Sequence, residues 1–257
     1  MMNNYTIDKL NSLKLYGMAA EFERQLVNPS ANEIPFELRV RSMVDHESSI
    51  RDNKRLQYLL KRARLKMTDA CIEDVDYRAP RGLDKSTMLS LTSLEWVRSG
   101  YNVVLTGPTG TGKTWLACAL ANHVCRMGMS AQFIRVAELM ESLLAAHATA
   151  DFNQMLDRLK KIDLLILDDW GLQPFVGRAP NDILELIESR LGSKSLIITS
   201  QTPMELWHDL IDVKAVADAL MDRLIHRSYN LKLSGESLRP LYGLAAQKPK
   251  VGRPKKK

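Results

Sequence analysis

The sequence predicts an α/β protein, with a mostly parallel five-stranded sheet between helices and a small helical domain in front of it. Three observations predict this. After residue 90, short apolar runs alternate with amphipathic stretches, the pattern of strands joined through covering helices. The first of those runs leads into a glycine-rich turn with phosphate-binding spacing, and a helical pattern follows directly. The first 66 residues carry apolar side chains at helical spacing instead.

Taken in order, Thr6 is placed to cap a helix carrying Leu10, Leu13, Met18, Phe22 and Leu26, with Asn28-Pro29 as its stop. Pro35 suits a first helical turn, and Phe36, Val40, Met43 and Val44 recur behind it. A third pattern sets Leu56, Leu59, Leu60 and Ala63 on one face, surrounded by Arg51, Lys54, Arg55, Lys61, Arg62 and Arg64. Residues 67–90 read as a connector: acids cluster at Asp69, Glu73, Asp74 and Asp76, and Ala79-Pro80-Arg81-Gly82 breaks regularity. Strands are expected at Tyr101–Thr106, Gln132–Val136, Asp163–Leu167, Ser195–Thr199 and Tyr229–Leu233. Helices are expected over 113–127, 137–147, 152–160, 179–191 and 213–227. The organisation is therefore a helical domain (1–66), a linker (67–90), an α/β domain (91–247) and a basic tail (248–257) expected to be unfolded without a partner.

Composition narrows the class. The chain has 257 residues, 45% hydrophobic and 26% charged, ordinary for a globular protein. No window approaches the roughly 18 apolar residues that span a membrane, and MMNNYTIDKLNSLK lacks the apolar core of a signal peptide. A cytoplasmic protein is expected. Cys71, Cys118 and Cys125 form no CxxC pair, and Cys118 and Cys125, seven apart on an expected helix, read as buried, reduced and inert rather than metal-binding. The net charge of +6 resides in the tail KPKVGRPKKK, which carries six Lys/Arg and no acid. A second basic run, RDNKRLQYLLKRARLK (51–66), has seven basic residues against one Asp. Two separated basic segments favour a polyanionic partner.

GPTGTGKT (107–114) fits G-x-x-x-x-G-K-[ST], with the buried-strand pattern YNVVLT before it and a helix closed by Gly128 after it. Its residues Gly107, Pro108, Thr109, Gly110, Thr111, Gly112, Lys113 and Thr114 are the expected cradle of a nucleoside triphosphate. Glycines let successive N–H groups face the phosphates, and the helix N-terminus adds partial positive charge. Lys113 reaches the terminal phosphates, and the Thr114 hydroxyl is a ligand for Mg²⁺. The other half of the site is LLILDDWG (164–171), where an apolar strand ends in acids beside the phosphate loop. Asp168 is expected to hold Mg²⁺ through water, and Asp169 to orient or deprotonate the attacking water. ATPases of this class usually carry Glu at that second position, so a shorter Asp169 predicts hydrolysis that is slow or partner-dependent. In SLIITSQTP (195–203), Gln201 is the expected γ-phosphate contact, with Ser200 and Thr199 as alternatives. In MDRLIHRS (221–228), Arg223 is the expected finger reaching a neighbouring subunit's γ-phosphate, with Arg190 as the alternative.

With GPTGTGKT, LLILDDWG, ITSQTP and ADALMDRLIHR in this order, the chain resembles the IstB-type transposition helpers, of the DnaC/IstB branch of the AAA+ ATPases. The opening KLNSLKLYGMAAEFERQLVNP and the connector YRAPRGLDKSTMLSLTSLEWV also resemble that family, so the likeness runs to about residue 246. The resemblance implies an AAA+ P-loop core, ATP with Mg²⁺, assembly into homo-oligomers with ATP at subunit interfaces, binding to double-stranded DNA with little sequence preference, and a cognate transposase as partner. It implies the phosphate-loop roles for Gly107 to Thr114 and the acidic-strand roles for Asp168 and Asp169, Asp-Asp being at home in this branch. It implies a bacterial, nucleoid-associated location. In ESRLG, Leu191 stands where an aromatic is expected, which weakens a finger role for Arg190.

Arg51, Lys54, Arg55, Lys61, Arg62 and Arg64 are the expected phosphate contacts to DNA, positioning the protein without reading bases and giving a steep salt dependence. Arg253 lies in VGRPKKK, similar to the Gly-Arg-Pro core of an AT-hook that enters an A·T-rich minor groove; a nonspecific basic tail is the alternative. The leading expectation is an ATP-dependent DNA-binding helper of a transposase. A replicative helicase loader of DnaC type would share the ATPase core but use the N-terminal helices to grip a helicase. A small-molecule P-loop kinase would need an acceptor pocket that no motif marks.

Overall fold

The N-terminal stretch does not form the single helix expected over residues 6–27. In the computed structural model, which describes residues 2–78 and 81–238, Lys14 takes φ 59° and splits it into α1 (Met2–Ser12) and α2 (Tyr16–Val27). The Leu15 N–H bonds the Leu10 carbonyl and the Lys14 N–H that of Asn11, a left-handed helix stop built on lysine where glycine is usual. Thr6 lies inside α1 rather than at its cap. The next two helical patterns fuse into one 28-residue helix, α3 (Phe36–Ala63), because neither Pro nor Gly interrupts them.

The chain divides between Leu59 and Leu60 into two compact units, rather than at the expected residue 66. In the first, buried polar bonds add to a partly buried apolar stripe. Leu13 and Leu26 are exposed, and the buried residues of α2 are Gly17, Ala19, Glu21 and Gln25. Glu47 on α3 caps α2 by accepting from the Gly17 and Met18 N–H groups at 2.6 and 3.3 Å. Glu21 accepts from Arg24, Gln25 and Ser42, and the Arg24 bonds hold its carboxyl down at about 2 despite burial.

In the second unit, residues read as a connector join the core: Ala70, Val75, Leu83 and Met88 are buried. Asp84 caps a helix there, α4 (Lys85–Thr92), by accepting from the Thr87 N–H at 2.7 Å, and a short α5 (Glu95–Arg98) follows. The strands β1 (Asn102–Thr106), β2 (Ala131–Arg135), β3 (Leu164–Trp170), β4 (Ser195–Ser200) and β5 (Ser228–Lys232) make one parallel sheet in the order β2-β3-β4-β1-β5. The helices α6 (Lys113–Arg126), α7 (Val136–Ala148), α8 (Phe152–Lys160), α9 (Ala179–Arg190) and α10 (Lys214–His226) connect and cover it. Continuous apolar runs such as Leu164–Leu167 and Leu196–Ile198 are buried throughout because both faces are covered. Val104, Leu165, Leu167, Leu196 and Ile198 share one core with α7, α8, α9 and α10, while α6 packs on β2, β3 and β4. Cys118 and Cys125 are buried on α6, and burial pushes the Cys125 thiol up to about 11. Among the described residues no group of side chains could hold a metal through His, Cys, Asp and Glu alone, and no helix is long and apolar enough to cross a membrane.

Candidate nucleotide-binding site

The site is assembled at the C-terminal ends of three neighbouring strands. Parallel order puts the loop after β1, the middle strand β4 and the acidic end of β3 side by side, the usual ligand edge of such sheets. The loop 107–112 joins β1 to α6. Gly107 has φ 143°, and a Cβ there would lie 2.0 Å from the Leu233 carbonyl oxygen, so only glycine fits. Gly112, at φ 94°, opens α6 with no side-chain cap, which leaves the helix end to an anion. Lys113 is buried and folded back on the loop, its Nζ donating to the carbonyls of Gly107 and Pro108 at 2.6 and 2.8 Å.

β3 runs to Trp170, past the expected end at Leu167, and its register with β4 shifts between Leu167 and Trp170. Asp168 and Asp169 occupy that irregularity, and Asp169 takes φ 63°. Successive side chains on a strand point to opposite faces, and the two carboxylates here meet different partners. Asp168 is fully buried; its Oδ1 accepts from the Thr114 hydroxyl at 2.8 Å and the Thr199 hydroxyl at 2.6 Å. Its Oδ2 has no hydrogen-bond partner and lies 3.6 Å from Lys66 Nζ. A threonine hydroxyl beside a carboxylate with an unsatisfied oxygen is the hard-oxygen donor set that suits Mg²⁺. The Asp169 carboxylate is turned instead to Arg135 at the end of β2, 3.5 Å away, and its N–H donates to Thr199.

Of the β4 candidates, Gln201 reaches the phosphate loop, its Oε1 accepting from Thr109 at 2.8 Å. Thr199 bridges both aspartates. Ser200 does not serve as a sensor: its hydroxyl donates to the Trp170 carbonyl and accepts from the Thr202 N–H, tying strand to turn. Arg190 cannot be a finger. It is 1% exposed, and its guanidinium holds the carbonyls of Leu159, Ile162 and Ser195. Burial lowers its pKa to about 10, still charged at neutral pH. Arg223 is half-buried on α10, bonded to the Ala219 carbonyl and to Glu188, and is not part of its own chain's phosphate loop.

Two segments outside the motifs also wall the site. A cavity of about 380 Å³ opens beside Gly112, Lys113, Thr114 and Trp115, lined also by Met67, Asp69, Asp74, Asp76, Arg81 and Leu238. Arg81 is 5% exposed; it donates to the Asp76 carbonyl, and its Nε has no partner. The chain after β5 returns over the loop, where the Leu238 N–H bonds the Gly110 carbonyl and the Ser234 N–H bonds that of Arg81. Nothing in the spacing of the connector or of residues 233–238 signals this role.

The basic residues Arg51, Lys54, Arg55, Lys61, Arg62 and Arg64 are all exposed. Arg51 pairs with Glu47 at 2.6 Å, and Lys54 lies over the Tyr16 ring, 5.0 Å from its centroid. Arg64 takes φ 49° just beyond α3. Arg253 and the tail lie outside the described residues.

Comparison with known proteins agrees with this architecture. The crystal structure of DnaI matches with a TM-score of 0.56 over 64% of this chain and 91% of that one, at 23% identity. The DnaC helicase loader matches with a TM-score of 0.53 over 64% and 97%, at 17% identity. At such identities the likeness establishes a shared fold. A Pseudomonas fluorescens protein named for the insertion sequence IS1162 and for ATP binding is 45% identical over 203 residues, 79% of this chain and 88% of its own length. A Sinorhizobium fredii protein, y4pL, named likewise for an insertion sequence and ATP binding, is 39% identical over 93% of this chain and 97% of its own. The family model for IstB-like ATP binding proteins matches residues 8–243, and the chain belongs to that family.

Proposed function

We propose that this chain is an ATP-dependent DNA-binding helper of an insertion-sequence transposase, assembling with itself on duplex DNA and hydrolysing ATP to release or remodel the assembly. The observation that carries the nucleotide half is the meeting of Thr114 and Asp168 at 2.8 Å beside an uncapped helix start. The relatives' names support the insertion-sequence half.

In this reading the loop amides and the end of α6 hold the phosphates, and Lys113 turns from the Gly107 and Pro108 carbonyls toward the terminal ones. Thr114 and Asp168 hold Mg²⁺, which when bound neutralises charge on the triphosphate. Gln201, already against Thr109, contacts the γ-phosphate end. Asp169 positions the attacking water and accepts its proton. Because its carboxylate is paired with Arg135, it has to turn first, which favours hydrolysis that is slow until DNA or a partner intervenes. Arg223 reaches the neighbouring subunit's γ-phosphate after leaving Glu188. The exposed cations of 51–64, together with Arg253, contact DNA phosphates. The protein acts in the bacterial cytoplasm, on the nucleoid.

The test is electron microscopy of the full chain with duplex DNA, with and without ATP, beside the Lys113→Ala variant. ATP-dependent assemblies should form with the natural chain and fail with the variant. Equal assembly in both, or none on DNA with ATP, refutes the reading.

A further inference from the structure

Asp168 has a charged neighbour that the nucleotide chemistry does not require. A buried carboxylate is costly unless a cation stands near it. Here that cation is Lys66, whose Nζ lies 3.6 Å from Oδ2, the oxygen left without a hydrogen bond. Lys66 reaches the site because Leu65, 7% exposed, anchors the chain just beyond Arg64 and its left-handed turn. Two residues further on, the Thr68 carbonyl accepts from Asn122 of α6. The Lys66 side chain is itself 46% exposed, so its ammonium can withdraw to water at little cost.

We propose that Lys66 is the resident counter-ion of Asp168, competing with the divalent cation for that carboxylate and so setting how much Mg²⁺ the nucleotide site demands. The inference rests on the reading of Thr114 and Asp168 as the metal-holding pair. Without metal, Lys66 neutralises Asp168. With Mg²⁺ and nucleotide, two cations share one carboxylate, and the one free to leave is the ammonium. Lys66 is a positioning residue: it acts through the carboxylate that holds the metal, at 3.6 Å from its Oδ2, rather than on the nucleotide itself.

The experiment measures ATP binding by calorimetry across a Mg²⁺ series, using the full chain, Lys66→Met, Lys66→Gln and Lys66→Arg. A unit charge about 6 Å from a double charge, screened much as in water because the ammonium is half-exposed, amounts to about ten-fold in binding. Lys66→Met and Lys66→Gln should therefore lower the Mg²⁺ half-saturation about ten-fold at low salt, Lys66→Arg should stay near the natural value, and added salt should shrink the difference. In EDTA the two neutral variants should melt at lower temperature than the natural chain. An unchanged or raised Mg²⁺ half-saturation in both neutral variants overturns the proposal. If instead the natural chain shows no Mg²⁺-dependent ATP binding, or Lys113→Ala retains it, the reading of the site itself falls and this inference with it.

Discussion

Replacing Thr199 by Val removes one hydroxyl and keeps the shape of a fully packed strand residue, so the change isolates two hydrogen bonds. The hydroxyl donates to the Asp168 carboxylate at 2.6 Å and accepts from the Asp169 N–H at 3.1 Å. The first is charge-assisted, and such bonds contribute about 1.5–3 kcal/mol; the second leaves a partly buried N–H without a partner, at a cost of about 1 kcal/mol. Thr114 still bonds Asp168, so the carboxylate is not stranded. The expected loss is about 3 kcal/mol, or roughly 6–12 °C in melting temperature for a domain of this size. Scanning calorimetry and urea unfolding of the nucleotide-free protein measure it, with Thr199→Ser as the control that restores the hydroxyl. A loss below about 1 kcal/mol, or an equal loss in the serine variant, would show that the bridge does not hold the two aspartates.

Arg223→Ala should keep nucleotide affinity and change unfolding free energy by less than about 1 kcal/mol, since its ion pair with Glu188 is partly exposed. The same variant should lose DNA-stimulated hydrolysis by about 10³-fold, and retained turnover would place the finger elsewhere. Arg190→Leu should destabilise the second unit by about 3 kcal/mol or more in urea unfolding, because three buried carbonyls lose their donor. A mild loss would mean that those carbonyls find other partners. Glu21 has its carboxyl lowered to about 2, so its contribution to the N-terminal unit is complete above about pH 4.5 and is lost as pH falls toward 2. Helix melting of the chain and of Glu21→Gln should converge across that window. Parallel pH curves would reject the assignment.

Much of the second unit was legible because local pattern and tertiary role coincide there. Apolar runs buried on both faces can only be inner strands of a covered sheet, and the strands and helices expected from 101 to 233 lie within a few residues of their observed ends. The N-terminal helices were less legible because part of their packing is polar. Glu21, Gln25 and Glu47 do the work expected of Leu13 and Leu26, and no hydrophobic period reports a buried carboxylate. The stop at Lys14 has no sequence signal because lysine adopts the left-handed conformation where the usual residue is glycine. The cap at Asp84 did carry a signal, an Asp three residues before Thr87, but the breaking residues ahead of it suggested a linker.

What the residues alone determined is the chemistry within single segments. The spacing of Gly107, Gly112, Lys113 and Thr114 carries the pattern of a phosphate loop, and an apolar strand ending in Asp168 and Asp169 that of its acidic counterpart, because each pattern depends on neighbours a few positions away. Which groups meet across the fold was decided only in three dimensions. The strand irregularity at the two aspartates, the burial that makes Arg190 structural, the approach of Lys66 to Asp168 and that of Arg81 to the loop depend on strand order and on chain returning from far along the sequence. Such contacts are set by the packing of whole elements, and a carboxylate's partner 102 positions away leaves no periodic trace in the chain.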